Sequence, residues 1–108
     1  MSERLLVLTT VARAEDAERI AEELVVRRLA ACVNVLPGVR SIYRWKGAVE
    51  RDEERLLLVK TRADRYEALR EALLALHPYE VPELVAVPIE RGSEAYLRWL
   101  DESVRDGP

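Results

Sequence analysis

The sequence predicts an α+β fold: a βαββαβ order, a four-stranded antiparallel sheet and one further helix at the C-terminal end. Three observations predict it. Strand-like and helix-like stretches alternate in a split βαβ order, with two strand runs in succession near the middle of the chain. Those two runs meet at Lys46-Gly47, a tight-turn pair, so they form a long hairpin. Two of the strand runs, Leu5-Leu6-Val7-Leu8 and Leu56-Leu57-Leu58-Val59, are apolar at both parities, as central strands covered on both faces would be. At 108 residues the chain suits one domain, spanning residues 1–108.

The elements follow in order. Residues 5–10 form a short apolar run and read as the first strand. Glu15 and Asp16 then sit where a helix's first turn favours acids. Ala17, Ile20, Ala21 and Leu24 follow at helical spacing, and the helix is expected to end near Leu29. Residues 31–36 alternate as a strand, with Val33 and Val35 on one face and Cys32, Asn34 and Leu36 on the other. Pro37-Gly38 interrupts it, which places this strand at an edge or at a bulge. The strand resumes through Val39, Ile42, Tyr43 and Trp45. The return strand, 48–61, is charged throughout its 50–55 part and apolar over 56–59, so the hairpin has an apolar base and a polar, exposed extension.

Asp64 reads as an N-cap, with Glu67 completing a capping box. Tyr66, Leu69, Leu73 and Leu76 share one face of the second helix, and His77-Pro78 stops it. Residues 84–89 form the fourth strand, placed at an edge by Pro88. Ser93 caps a last helix carrying Tyr96, Leu97, Leu100 and Val104, and Asp106-Gly107-Pro108 is expected to fray. This order is the ferredoxin-like arrangement, which puts both main helices on one face of the sheet. The other face is then apolar and open. The last helix is too short to hide a whole sheet face, so a partner subunit is expected to cover it.

Composition narrows the function. The 20 acidic and 17 basic side chains nearly balance, at a formal charge of −3, and give no electrostatic pull toward nucleic acid or anionic membrane. No apolar run has signal-peptide or membrane-spanning length, so a cytoplasmic protein is expected. With Cys32 alone there is no intrachain disulfide. Lys46 and Lys60 are the only lysines among the basic residues, Gln is absent, and Asn34 is the single Asn. That bias fits a thermostable protein and equally a GC-rich genome. There is no glycine-rich phosphate loop, no HExxH, no Cys/His cluster and no serine-nucleophile motif, so no enzyme is expected.

Several residues could still carry chemistry. His77, the only histidine, opens the rigid segment His77-Pro78-Tyr79-Glu80-Val81-Pro82-Glu83, which reads as a ligand loop or as an ordinary helix C-cap. Cys32 reads as a small hydrophobe in a strand. Lys60 is a site cation or a snorkelling surface lysine. Tyr43, Trp45 and Trp99 are aromatic side chains expected at a subunit contact.

Five segments in this order, Ala30-Ala31-Cys32-Val33-Asn34, Tyr43-Arg44-Trp45-Lys46-Gly47, Leu58-Val59-Lys60-Thr61, the 77–83 segment and Tyr96-Leu97-Arg98-Trp99-Leu100, resemble the CutA divalent-cation-tolerance family across essentially the whole chain. The resemblance implies a ferredoxin-like homotrimer with a role in tolerance to divalent cations, chiefly copper, and no established catalysis. It also implies an architecture similar to PII signalling proteins, and hence the alternative of a regulatory trimer with small-molecule clefts between subunits. The metal candidates are His77, Glu80, Glu83 and Cys32. The inter-subunit cleft candidates are Lys60, Tyr79 and Trp45. The trimer-interface candidates are Tyr43, Trp45 and Trp99. Some relatives carry a cysteine at the end of the first strand and a second histidine before the signature one; here those positions are Thr9 and Leu76. With those softest ligands gone, no cofactor is required, and copper or another divalent cation is expected to bind weakly unless neighbouring subunits complete the site.

Overall fold

Two strands with no polar face make the centre of the sheet. The computed structural model describes residues 3–105. In it β1 (Arg4–Val11) pairs antiparallel with β3 (Ala48–Arg62), and the sheet order is β2-β3-β1-β4. The edge strands are β2 (Cys32–Trp45) and β4 (Val85–Pro88). Both strands with an internal proline therefore lie at edges, where the missing N–H breaks no ladder bond.

Directly opposed residues share a face. Leu5, Val7 and Thr9 stand opposite Thr61, Val59 and Leu57, and point toward α1 (Ala14–Val26) and α2 (Tyr66–Leu76). Val7, Val11, Ile20, Leu24, Leu57, Val59, Leu69 and Leu73 are fully buried between sheet and helices. The opposite face carries Leu6, Leu8, Leu56 and Leu58, with Leu36, Val85 and Val87 beside them. The last three remain 39%, 49% and 44% exposed. The third helix, α3 (Glu94–Ser103), sits only at the end of this face where Arg4 stands opposite Arg62, and leaves the rest of it uncovered. It packs Leu100 and Val104 on Ala31 and Ile89, and is tied to β1 by the two-point Arg4–Asp101 ion pair at 2.7–3.1 Å.

Three local expectations are corrected. α1 ends at Val26, not near Leu29, because Arg28 takes a left-handed φ of 59° and the N–H groups of Leu29 and Ala30 both turn back to Leu24 O. Asp64 does not cap α2. It lies in a single 3₁₀ turn, Ala63–Arg65, and its carboxylate is held by the Arg62 guanidinium, while Glu67 pairs with Arg70. The hairpin extension is not wholly exposed: Glu54, inside the charged run, is 5% exposed. The Lys46-Gly47 turn forms as expected, with φ positive at both residues and Trp45 opposite Ala48. Ser93 caps α3 by accepting the Tyr96 N–H at 3.2 Å. The expected fraying at 106–108 lies outside the described residues.

Candidate functional site

The site begins with the interruption at Pro37-Gly38. Leu36 pairs with Leu56 and Val39 with Glu54, so β2 carries one more residue than β3 across this step. Gly38 has a φ of +74°, the left-handed region that a side chain disfavours. The extra residue changes which parity faces which way. Before it, the odd residues Val33 and Val35 oppose Val59 and Leu57 on the helix side. After it, the odd residues Tyr43 and Trp45 oppose Glu50 and Ala48, on the side of the even β3 residues Asp52 and Glu54. The bulge thus puts the two aromatic rings of the hairpin beside carboxylates.

The second wall is the segment after α2. Pro78 cannot continue the helix, and His77 leaves it with extended backbone. His77 is 7% exposed and its ring is bonded at both nitrogens. Nδ1 accepts the Tyr79 N–H at 3.2 Å, so Nε2 carries the proton and donates it to Thr10 O at 2.8 Å. Burial holds this imidazole below its ordinary pKa, against the opposing pull of the Thr10 carbonyl, Glu54 and Asp16. Two residues on, the Tyr79 hydroxyl donates to Glu54 Oε2 at 2.6 Å. The segment is therefore stitched to β1 through His77 and to β3 through Tyr79.

Between these walls lies a cleft of about 680 Å³, lined by Thr10, Ser41, Ile42, Tyr43, Trp45 and Glu54 on the strand side and by Tyr79, Glu80, Val81, Pro82 and Glu83 on the segment side. Among the described residues no basic side chain lines it. The Tyr43 hydroxyl donates to Asp52, which pushes its pKa up to about 12. Burial, then the Glu54 hydrogen bond, pushes Tyr79 up further. Glu83 is raised by desolvation and by the charge of Glu54. The cleft is acidic and aromatic, chemistry that receives a cation.

The structure gathers Tyr43, Trp45, Tyr79, Glu80 and Glu83 here. It does not gather Cys32 or Lys60. Those two stand opposite each other at the far end of β3, with the Lys60 ammonium bonded to Asn34 Oδ1 and 4.0 Å from Cys32 Sγ. Lys60 is six residues from Glu54 along β3, roughly 20 Å at the rise of a strand. The four metal candidates accordingly form no single centre, and among the described residues no three His, Cys, Asp or Glu side chains converge on one point. His77 has no free ring nitrogen to offer. Position 9, where some relatives carry cysteine, is fully buried on the helix face, away from the cleft. Trp99 lies on α3 with its ring 5.4 Å from that of Tyr96, also outside the cleft.

Sequence reasoning missed Glu54. It sits in an unbroken charged run, and no composition signal separates it from its neighbours. The available clue was position: Glu54 is two residues before Leu56 and so shares the face of the apolar base.

The chain was compared with known proteins. The family model described as CutA1 divalent ion tolerance protein matches residues 5–103. The Divalent-cation tolerance protein CutA of Thermus thermophilus is 55% identical over 98 residues, covering 91% of this chain and 95% of that one. Protein CutA, chloroplastic, of Arabidopsis thaliana is 45% identical over 94% of this chain, which spans 56% of the plant protein's length. Among solved structures, CutA from Xylella fastidiosa superposes with a TM-score of 0.93 at 42% identity, over 96% of this chain and 100% of that one.

Proposed function

The chain belongs to the CutA1 divalent ion tolerance protein family, and from that premise we propose that it serves divalent-cation tolerance as a non-catalytic, homotrimeric binding protein whose ligand enters the cleft between the hairpin and residues 79–83. The observation that carries this reading is the cleft itself, where Glu54, Glu80 and Glu83 meet three aromatic rings and no basic side chain. The trimer rests on the open sheet face. Leaving Leu36, Val85, Val87 and their neighbours wet forfeits roughly 1.5–3 kcal/mol for each large side chain that a partner could bury. On this reading neighbouring copies supply that cover.

Copper or another divalent ion bound by this protein would need donors from more than one chain, because among the described residues of one chain no three-ligand centre assembles. Titration of the purified protein with copper and zinc, beside Glu83→Gln and His77→Ala, tests the placement. The reading expects Glu83→Gln to weaken binding, and His77→Ala to act only as far as it loosens the segment. Unchanged affinity in Glu83→Gln, with affinity abolished in a folded His77→Ala, would move the ion out of the cleft.

A second reading is favoured by size. A space of about 680 Å³ falls within the range of small-molecule sites and is far larger than a bare ion. On this reading the trimer is a PII-like sensor with the same cleft as its ligand site. Melting-temperature shifts with nucleotides, organic anions and organic cations distinguish it from a metal-only protein.

A further inference from the structure

We propose that the projecting hairpin arms of neighbouring copies pack on one another, the basic, aliphatic face of one arm lying on the acidic, aromatic face of the next. The inference rests on the homotrimer proposed above and adds the contact through which its arms meet.

Within one chain the arm is little covered. β1 pairs with β3 only as far as Arg55, so among the described residues β3 has β2 alone as a strand partner over 48–54. Neither buried core includes an apolar side chain of the arm. A two-stranded ribbon with both faces open is marginal in water.

The register sorts the arm's side chains by chemistry, because opposed residues share a face. Ser41, Tyr43 and Trp45 stand opposite Asp52, Glu50 and Ala48 on one face. Arg40, Ile42 and Arg44 stand opposite Glu53, Arg51 and Val49 on the other. The first face is acidic and aromatic. The second is basic and aliphatic, with Glu53 as its acid. Ile42 and Val49 are 64% and 53% exposed there. The arginines differ from those of the helices. Arg19, Arg27, Arg70 and Arg98 each pair with an acid one turn away, whereas Arg40, Arg44 and Arg51 enter no ion pair among the described residues.

Each face holds what the other lacks. Guanidinium groups bond carboxylates and stack on rings, and Ile42 and Val49 leave water when they meet Tyr43 and Trp45. The Lys46 ammonium, 5.5 Å from the Trp45 ring centroid, already sets a cation beside that ring. The acidic face also continues the open apolar one, since Glu50 and Asp52 follow Leu58, Leu56 and Glu54 at the even positions of β3. Copies that meet across the leucines therefore bring their arms together. Three acidic faces turned toward one axis repel. Acidic against basic, each copy on the next, removes the repulsion and closes into a ring. The occupant of the basic face is thus a second copy of this chain.

The test uses the whole chain, with assembly read by sedimentation equilibrium over a dilution series. One variant reverses the basic face, Arg40→Glu with Arg44→Glu and Arg51→Glu. A second reverses the acidic face, Glu50→Arg with Asp52→Arg. A third carries all of these changes. The proposal expects each partial reversal to weaken assembly about tenfold or more, and the full reversal to return it to within about threefold of the parent. No weakening in either partial reversal, or no recovery in a folded full reversal, overturns it. Where circular dichroism melting shows that a reversal fails to fold, or the assembly is too tight to dissociate, cross-linking decides. In a Cys32→Ser background, Arg44→Cys with Glu50→Cys is oxidised with dipyridyl disulfide. Disulfide-linked chains are expected on a denaturing gel from the paired variant and from neither change alone. Linkage from one change alone puts like faces in contact, and no linkage from the pair leaves the arms apart; either result overturns the proposal. A parent of one chain mass would sink the homotrimer as well. A trimer indifferent to every reversal sinks the arm contact alone and leaves the basic face to a partner other than this chain.

Discussion

His77 holds the cleft wall in place with both ring nitrogens, one on β1 and one on its own segment. Replacing it with alanine strands the Thr10 carbonyl and the Tyr79 N–H, and urea denaturation is expected to show a loss of roughly 2–4 kcal/mol. The same ring sets a pH dependence. Burial lowers its pKa in the folded state below the ordinary 6.5, so the unfolded chain binds the proton first as pH falls. Its contribution is complete above pH 6.5 and is lost as pH falls through the lowered folded value. The urea midpoint is therefore expected to drop between pH 7.5 and 5.5, and to drop less in His77→Gln. Glu83 acts with the opposite sign, because its folded pKa is raised and its ionisation weakens the fold as pH rises. Thr9 offers a gain. Its hydroxyl is buried and bonded to nothing among the described residues. Thr9→Val keeps the shape and removes the orphan, so a gain of roughly 1 kcal/mol is expected from the same denaturation experiment.

At the scale of elements, the hairpin and its bulge decide where the site is. Gly38 sits at a φ of +74° with open space where a Cβ would go. Gly38→Ala therefore meets backbone strain alone, and is expected to cost about 1–2 kcal/mol without a steric clash. An equal stability of variant and parent in urea would show that the bulge relaxes freely. Much of this level was legible in the sequence. Pro37-Gly38 announced the interruption, Lys46-Gly47 the turn, Pro88 the edge, and the doubly apolar runs at 5–8 and 56–59 the central strands. Helix boundaries were less legible. Asp64 and Glu67 have the spacing of a capping box, but neighbouring arginines compete for both carboxylates and win. The site was legible in half. The 77–83 segment and the aromatic tip stood out by composition. Glu54 did not, because its burial depends on a tyrosine 25 residues away closing over it. The distance between Cys32 and His77 was equally hidden, since it follows from sheet register and not from local pattern.

For the whole molecule, one sheet face lies under α1 and α2 while the other presents leucines and valines to solvent. The hairpin extends beyond the body and stretches the chain to 44 Å against 26 and 22 Å in the other directions. An open apolar face and a projecting arm on one chain are the two parts that a self-associating protein needs. Leu58→Asp, opposite Leu8 at the middle of that face, is expected to shift the assembly toward single chains by light scattering while circular dichroism retains the α+β signal. The measurement that bears most directly on the account is the mass of the unaltered protein in solution, by sedimentation equilibrium at micromolar concentration. The account predicts three times the chain mass of 12.4 kDa, and a well-behaved species of one chain mass would contradict it.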